Sequence, residues 1–123
     1  MKFKFEKLLI WQKAMDFGED MHVLSQTFPK IKTYNLSSQM LRAGDSIALN
    51  IAEGSILQSE KEFHKFLGYS IRSLAEVVTC LHKAKRRQYI TEEIFTKHES
   101  EFYHLMNMMI SFKSKITKKE IEE

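Results

Sequence analysis

The sequence predicts an all-α protein, an antiparallel up-down-up-down four-helix bundle. Three observations lead there. Four long segments carry apolar residues at alternating steps of four and three, the period of a helix seam packed on other helices. No segment shows the period-two alternation of a half-buried strand. One proline and four glycines in 123 residues are too few for a sheet protein built on tight turns. The connections between the segments are short, which sets consecutive helices antiparallel.

The first helix is predicted over residues 6–27, with the seam Ile10, Ala14, Phe17, Met21, Leu24 and Phe28. Pro29 closes it, because proline disfavours helix in the residue before it. The second is predicted over residues 36–53, with Leu36, Met40, Ala43, Ile47, Asn50 and Gly54 on its seam. Asn35 or Ser37 would be its N-cap and Gly54 its left-handed C-terminal stop. Between Ala43 and Ala52 only Asp45 carries charge, so this helix is too apolar to be a solvated surface element. Ser59-Glu60-Lys61-Glu62 reads as a capping box opening the third helix, whose seam is Phe63, Leu67, Ser70, Leu74, Val77, Leu81 and Ala84. Thr91 with Glu92 and Glu93 opens the fourth, whose seam is Phe95, His98, Phe102, Leu105, Met109, Phe112 and Ile116. The expected organisation is a single domain over residues 1–123, with flexible ends at about 1–5 and 117–123.

Two helices carry more apolar surface than one seam needs. Trp11, Met15 and Gly18 form a second stripe on the first helix, and Gly44, Ala48 and Ala52 form a small-residue row on the second. Either these wide faces fill a broad core or they form a subunit interface. On the second view Trp11, Met15, Gly44, Ala48 and Ala52 are interface residues.

Composition narrows the class. Hydrophobic content of 43% is ordinary for a globular domain, and the formal net charge of +3 alone does not argue for nucleic acid. The single cysteine, Cys80, forms no intrachain disulfide and fits a reducing compartment. Apolar runs are far short of a membrane span, and the first six residues lack the apolar core of a signal peptide. The expectation is a cytoplasmic protein.

Several ordered motifs resemble one family. Leu8-Leu9-Ile10-Trp11-Gln12-Lys13-Ala14 looks like its L-x-V-W-Q-K-A opening. Phe28-Pro29, Tyr34, Leu36-Ser37-Ser38-Gln39-Met40, Arg42-Ala43, Ser46-Ile47 and Asn50-Ile51-Ala52-Glu53-Gly54 follow its next block in order. Glu62-Phe63, Phe66-Leu67, Ser73-Leu74 and Glu76 look like its third-helix signature. The family is that of the 23S rRNA-intervening sequence proteins. Asn35, the pair Gly44-Asp45 and Arg72 depart from its usual residues. The resemblance implies a bundle assembling into a ring, a homopentamer. It also implies kinship with proteins encoded in large-subunit rRNA insertions or accompanying the reverse transcriptases of diversity-generating retroelements. The latter relatives are basic and engage polymerase and nucleic acid. The shared motif is one of packing and capping, so no catalytic residue is carried over.

Candidate chemistry is sparse. Two Glu-x-x-His units, Glu19 to His22 and Glu101 to His104, invite comparison with di-metal bundles. Glu19 and His104 lie at similar depth, about 18 Å from one end at the helical rise. The other two helices bring Arg42, Asp45, Ile71 and Arg72 to that level, not two glutamates. An ion-pair belt is expected instead, with Asp16, Glu19, Asp20, Asp45 and Glu101 balanced by Arg42 and Arg72. Such a belt also suits subunit contacts. His98 is read as a hydrogen-bonded core histidine, Cys80 as a half-buried thiol, and Asn50 with Glu53 and Gly54 as a structural motif in which Asn50 sets seam register.

The basic residues gather at the bundle ends. Lys83, Lys85, Arg86 and Arg87 close the third helix, near Lys30 and Lys32 after the first. Cations there complement the helix dipole, and a ring would repeat them into a cationic face suited to phosphate backbones. The expected function is therefore a non-enzymatic oligomeric bundle binding RNA or DNA without reading sequence, and needing no metal or cofactor. The alternative is a protein-interaction scaffold, for a polymerase such as a reverse transcriptase. A di-metal enzyme comes third.

Overall fold

The structure, a computed structural model, describes residues 3–30 and 34–122. It contains a short 3-10 helix, Lys4–Lys7, and four α-helices: α1 Leu9–Ser25, α2 Tyr34–Ser55, α3 Glu60–Arg86 and α4 Glu92–Glu122. Among the described residues there is no strand. Helices consecutive in sequence pack side by side, and α1 closes the four-helix bundle against α4. The α2/α3 pairing is the most extensive and α1/α4 the least. Helix length contributes to this: the 17 residues of α1 span about 26 Å and the 31 of α4 about 46 Å.

The core is built from the seams. Every seam residue expected on α1 and α3 is buried, as are Phe95, His98, Phe102, Leu105 and Met109 on α4. Phe112 and Ile116 are half-buried at the end of that seam. On α2 the register differs near the C-terminus: Ile51 is fully buried, and Asn50 stands at the seam's edge. A strict four-three series follows 3.5 residues per turn, whereas a straight helix turns every 3.6, so the series drifts by about 20° per heptad. Two heptads after Leu36 the core direction has passed to Ile51.

Two expected helix ends are also corrected. α2 begins at Tyr34, so Asn35 and Ser37 lie within it rather than at its N-cap. Gly54 is not a left-handed stop: α2 continues to Ser55, and no glycine among the described residues has positive φ. Gly54 instead allows close packing. A Cβ there would lie 2.7 Å from Cβ of Phe66 and 3.0 Å from Cδ1 of Phe63. Among the described residues the left-handed ones are Gln58 (φ 54°) and Gln88 (φ 63°), in the turns after α2 and α3.

The starts of α3 and α4 carry the expected N-caps. Of the expected capping box at α3 only the serine half forms, and the Glu62 carboxylate lies 3.9 Å from Lys65 Nζ instead. Ser59 Oγ accepts from the Glu62 amide at 3.2 Å, and Thr91 Oγ1 accepts from the Ile94 amide at 3.2 Å. α3 ends in a Schellman arrangement. The Tyr89 amide donates to the Ala84 carbonyl and the Gln88 amide to that of Lys85, each at 2.9 Å.

Candidate functional site

Three surface regions hold the residues singled out from the sequence. The first is the end of the bundle where α1 and α3 finish. Phe28 and Tyr89 meet there with ring centroids 5.7 Å apart, joining the turn after α1 to the turn after α3. Lys30, Lys83, Arg86 and Arg87 are exposed at this end. Lys32 lies outside the described residues. Lys85 is not free: its Nζ is 2.9 Å from Glu92 Oε2 and lies 4.5 Å from the Phe95 ring centroid. Tyr89 is half-buried against Phe28, which restricts it as a stacking platform for bases.

The second region is an apolar groove of about 450 Å³ between α1 and α2. Ala14, Gly18, Gly44, Ala48 and Ala52 line it, with Phe5, Trp11, Met15 and Leu49, and with Glu19 and Asp45 as its acids. A Cβ on Gly18 would lie 3.2 Å from the Gly44 carbonyl oxygen. The small row therefore lets α1 and α2 of one chain approach closely, and Gly44 and Ala48 are already buried by that contact. The accessible part of the second stripe is Met15, 42% exposed, with half-buried Trp11 and Ala52. Leu49, 58% exposed, and Phe5, which packs on Trp11 at 5.2 Å, belong to the same groove. The sequence reading missed both, because neither falls on a seam or on the small row.

The third region lies between α1 and α4. A cavity of about 210 Å³ is lined by Lys13, Asp16, Phe17, Asp20, Glu101, His104 and Leu105. Asp20 from α1 and Glu101 from α4 thus line the same cavity. Burial first, and then the neighbouring Asp20, raise the Glu101 carboxyl above its ordinary 4.5. His98 is only 7% exposed, and its Nδ1 stands 3.7 Å from Glu101 Oε1 with no hydrogen-bond partner. Burial lowers the His98 pKa below 6.5, with Lys97 acting in the same direction and Asp20 opposing. The expected hydrogen-bonded core histidine is thus buried with Nδ1 unpaired.

The expected ion-pair belt is not formed as such. Glu19 and Asp45 face the α1/α2 groove, whereas Asp20 and Glu101 line the α1/α4 cavity. Arg72 lies over the Tyr69 ring, 5.4 Å from its centroid, and Arg42 is exposed. The two Glu-x-x-His units also diverge. His22 is exposed and bonded to Gln26 at 3.1 Å, and Glu101 faces Asp20. Among the described residues no three His, Cys, Asp or Glu side chains are grouped to hold a metal ion.

Asn50 takes part in a polar bridge between α2 and α3. Its Nδ2 donates to the Ser46 carbonyl at 2.8 Å and to Ser46 Oγ at 3.1 Å, and Ser46 Oγ meets Ser73 Oγ at 2.6 Å. Nearby, buried Ser70 donates to the Ile47 carbonyl at 2.7 Å. Asn50 therefore acts through Ser46, while Glu53 is exposed. Cys80 is more buried than expected; burial raises its thiol pKa above the ordinary 9.0.

Comparison with known proteins places this architecture. The family model described as 23S rRNA-intervening sequence protein matches residues 6–111. No curated protein matches the chain. Among solved structures, the chain is similar to a protein of unknown function from the S23 ribosomal protein family of Bacteroides thetaiotaomicron. That likeness has a TM-score of 0.79 at 24% identity and covers 85% of this chain and 98% of the other. At that identity it is a likeness of fold. No helix among the described residues is long and apolar enough to cross a membrane.

Proposed function

Because the chain belongs to the 23S rRNA-intervening sequence protein family, we propose that it is a non-enzymatic bundle that holds RNA or DNA by its phosphate backbone, through the cationic end of α3. The observation that carries this reading is the exposure of Lys83, Arg86 and Arg87 together with Lys30 at one end of the bundle. Cations there also complement the negative pole of the helix dipole, so their presence alone is ordinary. Lys85 supports the fold, since its charge is spent on Glu92.

The test is a titration of labelled RNA and DNA at several salt concentrations. The log–log slope is expected near −0.7 per phosphate neutralised on single strands and about −0.9 on duplex DNA. Replacing Lys83, Arg86 and Arg87 by Ser should flatten the slope and leave helicity unchanged. Equal binding by both proteins would assign these cations to helix capping.

A second reading rests on the α1/α2 groove. Its exposed Met15 and Leu49 beside half-buried Trp11 and Ala52 form an apolar surface suited to another protein, a second copy of the chain included. The homopentameric ring implied by the resemblance belongs here as a proposal, with Arg42 and Arg72 exposed for contacts between copies. Sedimentation of the full chain tests it: a stable monomer at micromolar concentration removes the ring. A protein partner such as a reverse transcriptase is the scaffold version of the same reading, and a lack of nucleic-acid binding at low salt would favour it.

A further inference from the structure

The α3 helix carries a second stripe, on the face turned away from its buried seam. Lys65, Tyr69, Arg72, Glu76, Lys83 and Arg86 each stand two residues after a seam position, about 200° around the helix from it. All are exposed except Tyr69, which is half-buried. From Lys65 to Arg86 the stripe runs about 32 Å at the helical rise. A groove of about 350 Å³ lies beside it, between α3 and α2. Arg72, Glu76, Thr79 and Lys83 line that groove from α3, and Gln39 lines it from α2. Arg72 and Lys83 are separated by about 17 Å along the helix. Among the described residues neither is held in an ion pair, and neither is Glu76, the acid of the lining. At the far end of the stripe the Arg72 guanidinium lies over the Tyr69 ring, 5.4 Å from its centroid. Phe66 packs on the same ring in a T-shaped contact at 5.4 Å, and Lys65 Nζ is 5.9 Å from its centroid. An aromatic ring and a guanidinium are the two surfaces on which unpaired bases stack.

We propose that this stripe is a track for a single nucleic-acid strand, leading from the cationic end of the bundle along the α2/α3 groove to Tyr69. The inference rests on the reading that the end of α3 holds phosphate backbones. Lys83 belongs to both surfaces, since it stands in the end cluster and lines the groove. Lys83 and Arg72 each hold a phosphate, and a base turned out of the strand stacks on Tyr69 together with Arg72. A duplex keeps its bases stacked inside and meets the cations alone, so the stripe favours a single strand. Glu76 repels the backbone between the two phosphate contacts and limits affinity.

The experiment titrates the full chain with a labelled oligouridylate of about 12 nucleotides, and with duplex DNA of the same length, at several salt concentrations. The wild type is expected to bind the single strand several-fold more tightly than the duplex, against the higher charge density of the duplex. Arg72→Gln should reduce the log–log salt slope on the single strand by about 0.7 and leave duplex binding unchanged. Tyr69→Leu should weaken single-strand binding about tenfold with little change in slope. Glu76→Gln should tighten single-strand binding. Urea unfolding and sedimentation of each variant show that fold and assembly are kept, and exposed Arg72 keeps the test sound if Tyr69→Leu unfolds. Single-strand binding indifferent to Arg72→Gln, while loss of Lys83, Arg86 and Arg87 still weakens it, would overturn the track and leave the end cluster standing. A change in sedimentation on Arg72→Gln with binding intact would give Arg72 to contacts between copies and overturn it too. No binding of either probe by the wild type at low salt would overturn the track and the phosphate-binding reading together.

Discussion

Replacing Gly54 by Ala should destabilise the bundle, against the usual effect of removing a helical glycine. Ala in place of Gly inside a helix is worth about 1 kcal/mol. At position 54 the new methyl would lie 2.7 Å from Cβ of Phe66, 3.0 Å from Cδ1 of Phe63 and 3.4 Å from Cα of Phe63. Phe66 Cβ is anchored to the α3 backbone and cannot swing away as a side-chain end could. The α2 and α3 helices must separate locally, in the pairing that contributes most to the fold. Overpacking of this kind costs about 1–3 kcal/mol. The net loss is then about 1 kcal/mol, or about 4 °C in Tm for a domain of this size. Gly44→Ala supplies the control. There the new Cβ would meet Met21 Cβ at 3.6 Å, an ordinary contact, so the helix propensity gain of up to about 1 kcal/mol should survive. Urea unfolding of both variants at one fixed protein concentration gives the comparison. Gly54→Ala as stable as Gly44→Ala, or more so, would refute the close-approach account of Gly54.

Gln88 occupies the left-handed C′ position of the α3 Schellman turn, a conformation that side chains rarely adopt. Gln88→Gly should therefore raise stability by about 0.5–1 kcal/mol in the same assay, and a loss would show that the Gln88 side chain makes a compensating contact. His98 gives a prediction in pH. Its folded pKa lies below its ordinary 6.5, so across that interval the unfolded chain binds more protons than the native one. Stability should thus fall as pH drops through 6.5 toward the folded value. His98→Gln should flatten the urea midpoint against pH there, measured in a Glu101→Gln background because Glu101 acts with the opposite sign. An unchanged slope would show that His98 titrates alike in both states.

How legible the molecule was in its sequence depended on whether a feature has a period. The seams of α1 and α3 could be read because each buried residue recurs on a face that neighbouring helices must cover, and the starts of α3 and α4 because Ser59 and Thr91 act on amides three residues away. Gly54 was placed correctly at the end of α2 but given the wrong physical task. Sequence offers glycine two uses, positive φ and close approach, and only the position of Phe63 and Phe66 on another helix decides between them. The small row posed the same ambiguity. Gly44 facing Gly18 is a contact within the chain, and a row that lets one backbone approach could equally have admitted one from a second copy. Charge was the least legible layer. Asp20 and Glu101 were assigned to a belt with arginines, since opposite charges at similar depth are the economical guess. Which acid meets which partner depends on the rotation of α1 about its axis. Glu19 and Asp20 are adjacent residues, about 100° apart on a helix. One faces α2 and the other α4. That rotation is fixed by Phe17 and Met21 entering the core, so the side on which each acid falls follows from apolar packing. A substitution that turned α1 would carry Asp20 out of the α1/α4 cavity without touching Asp20 itself.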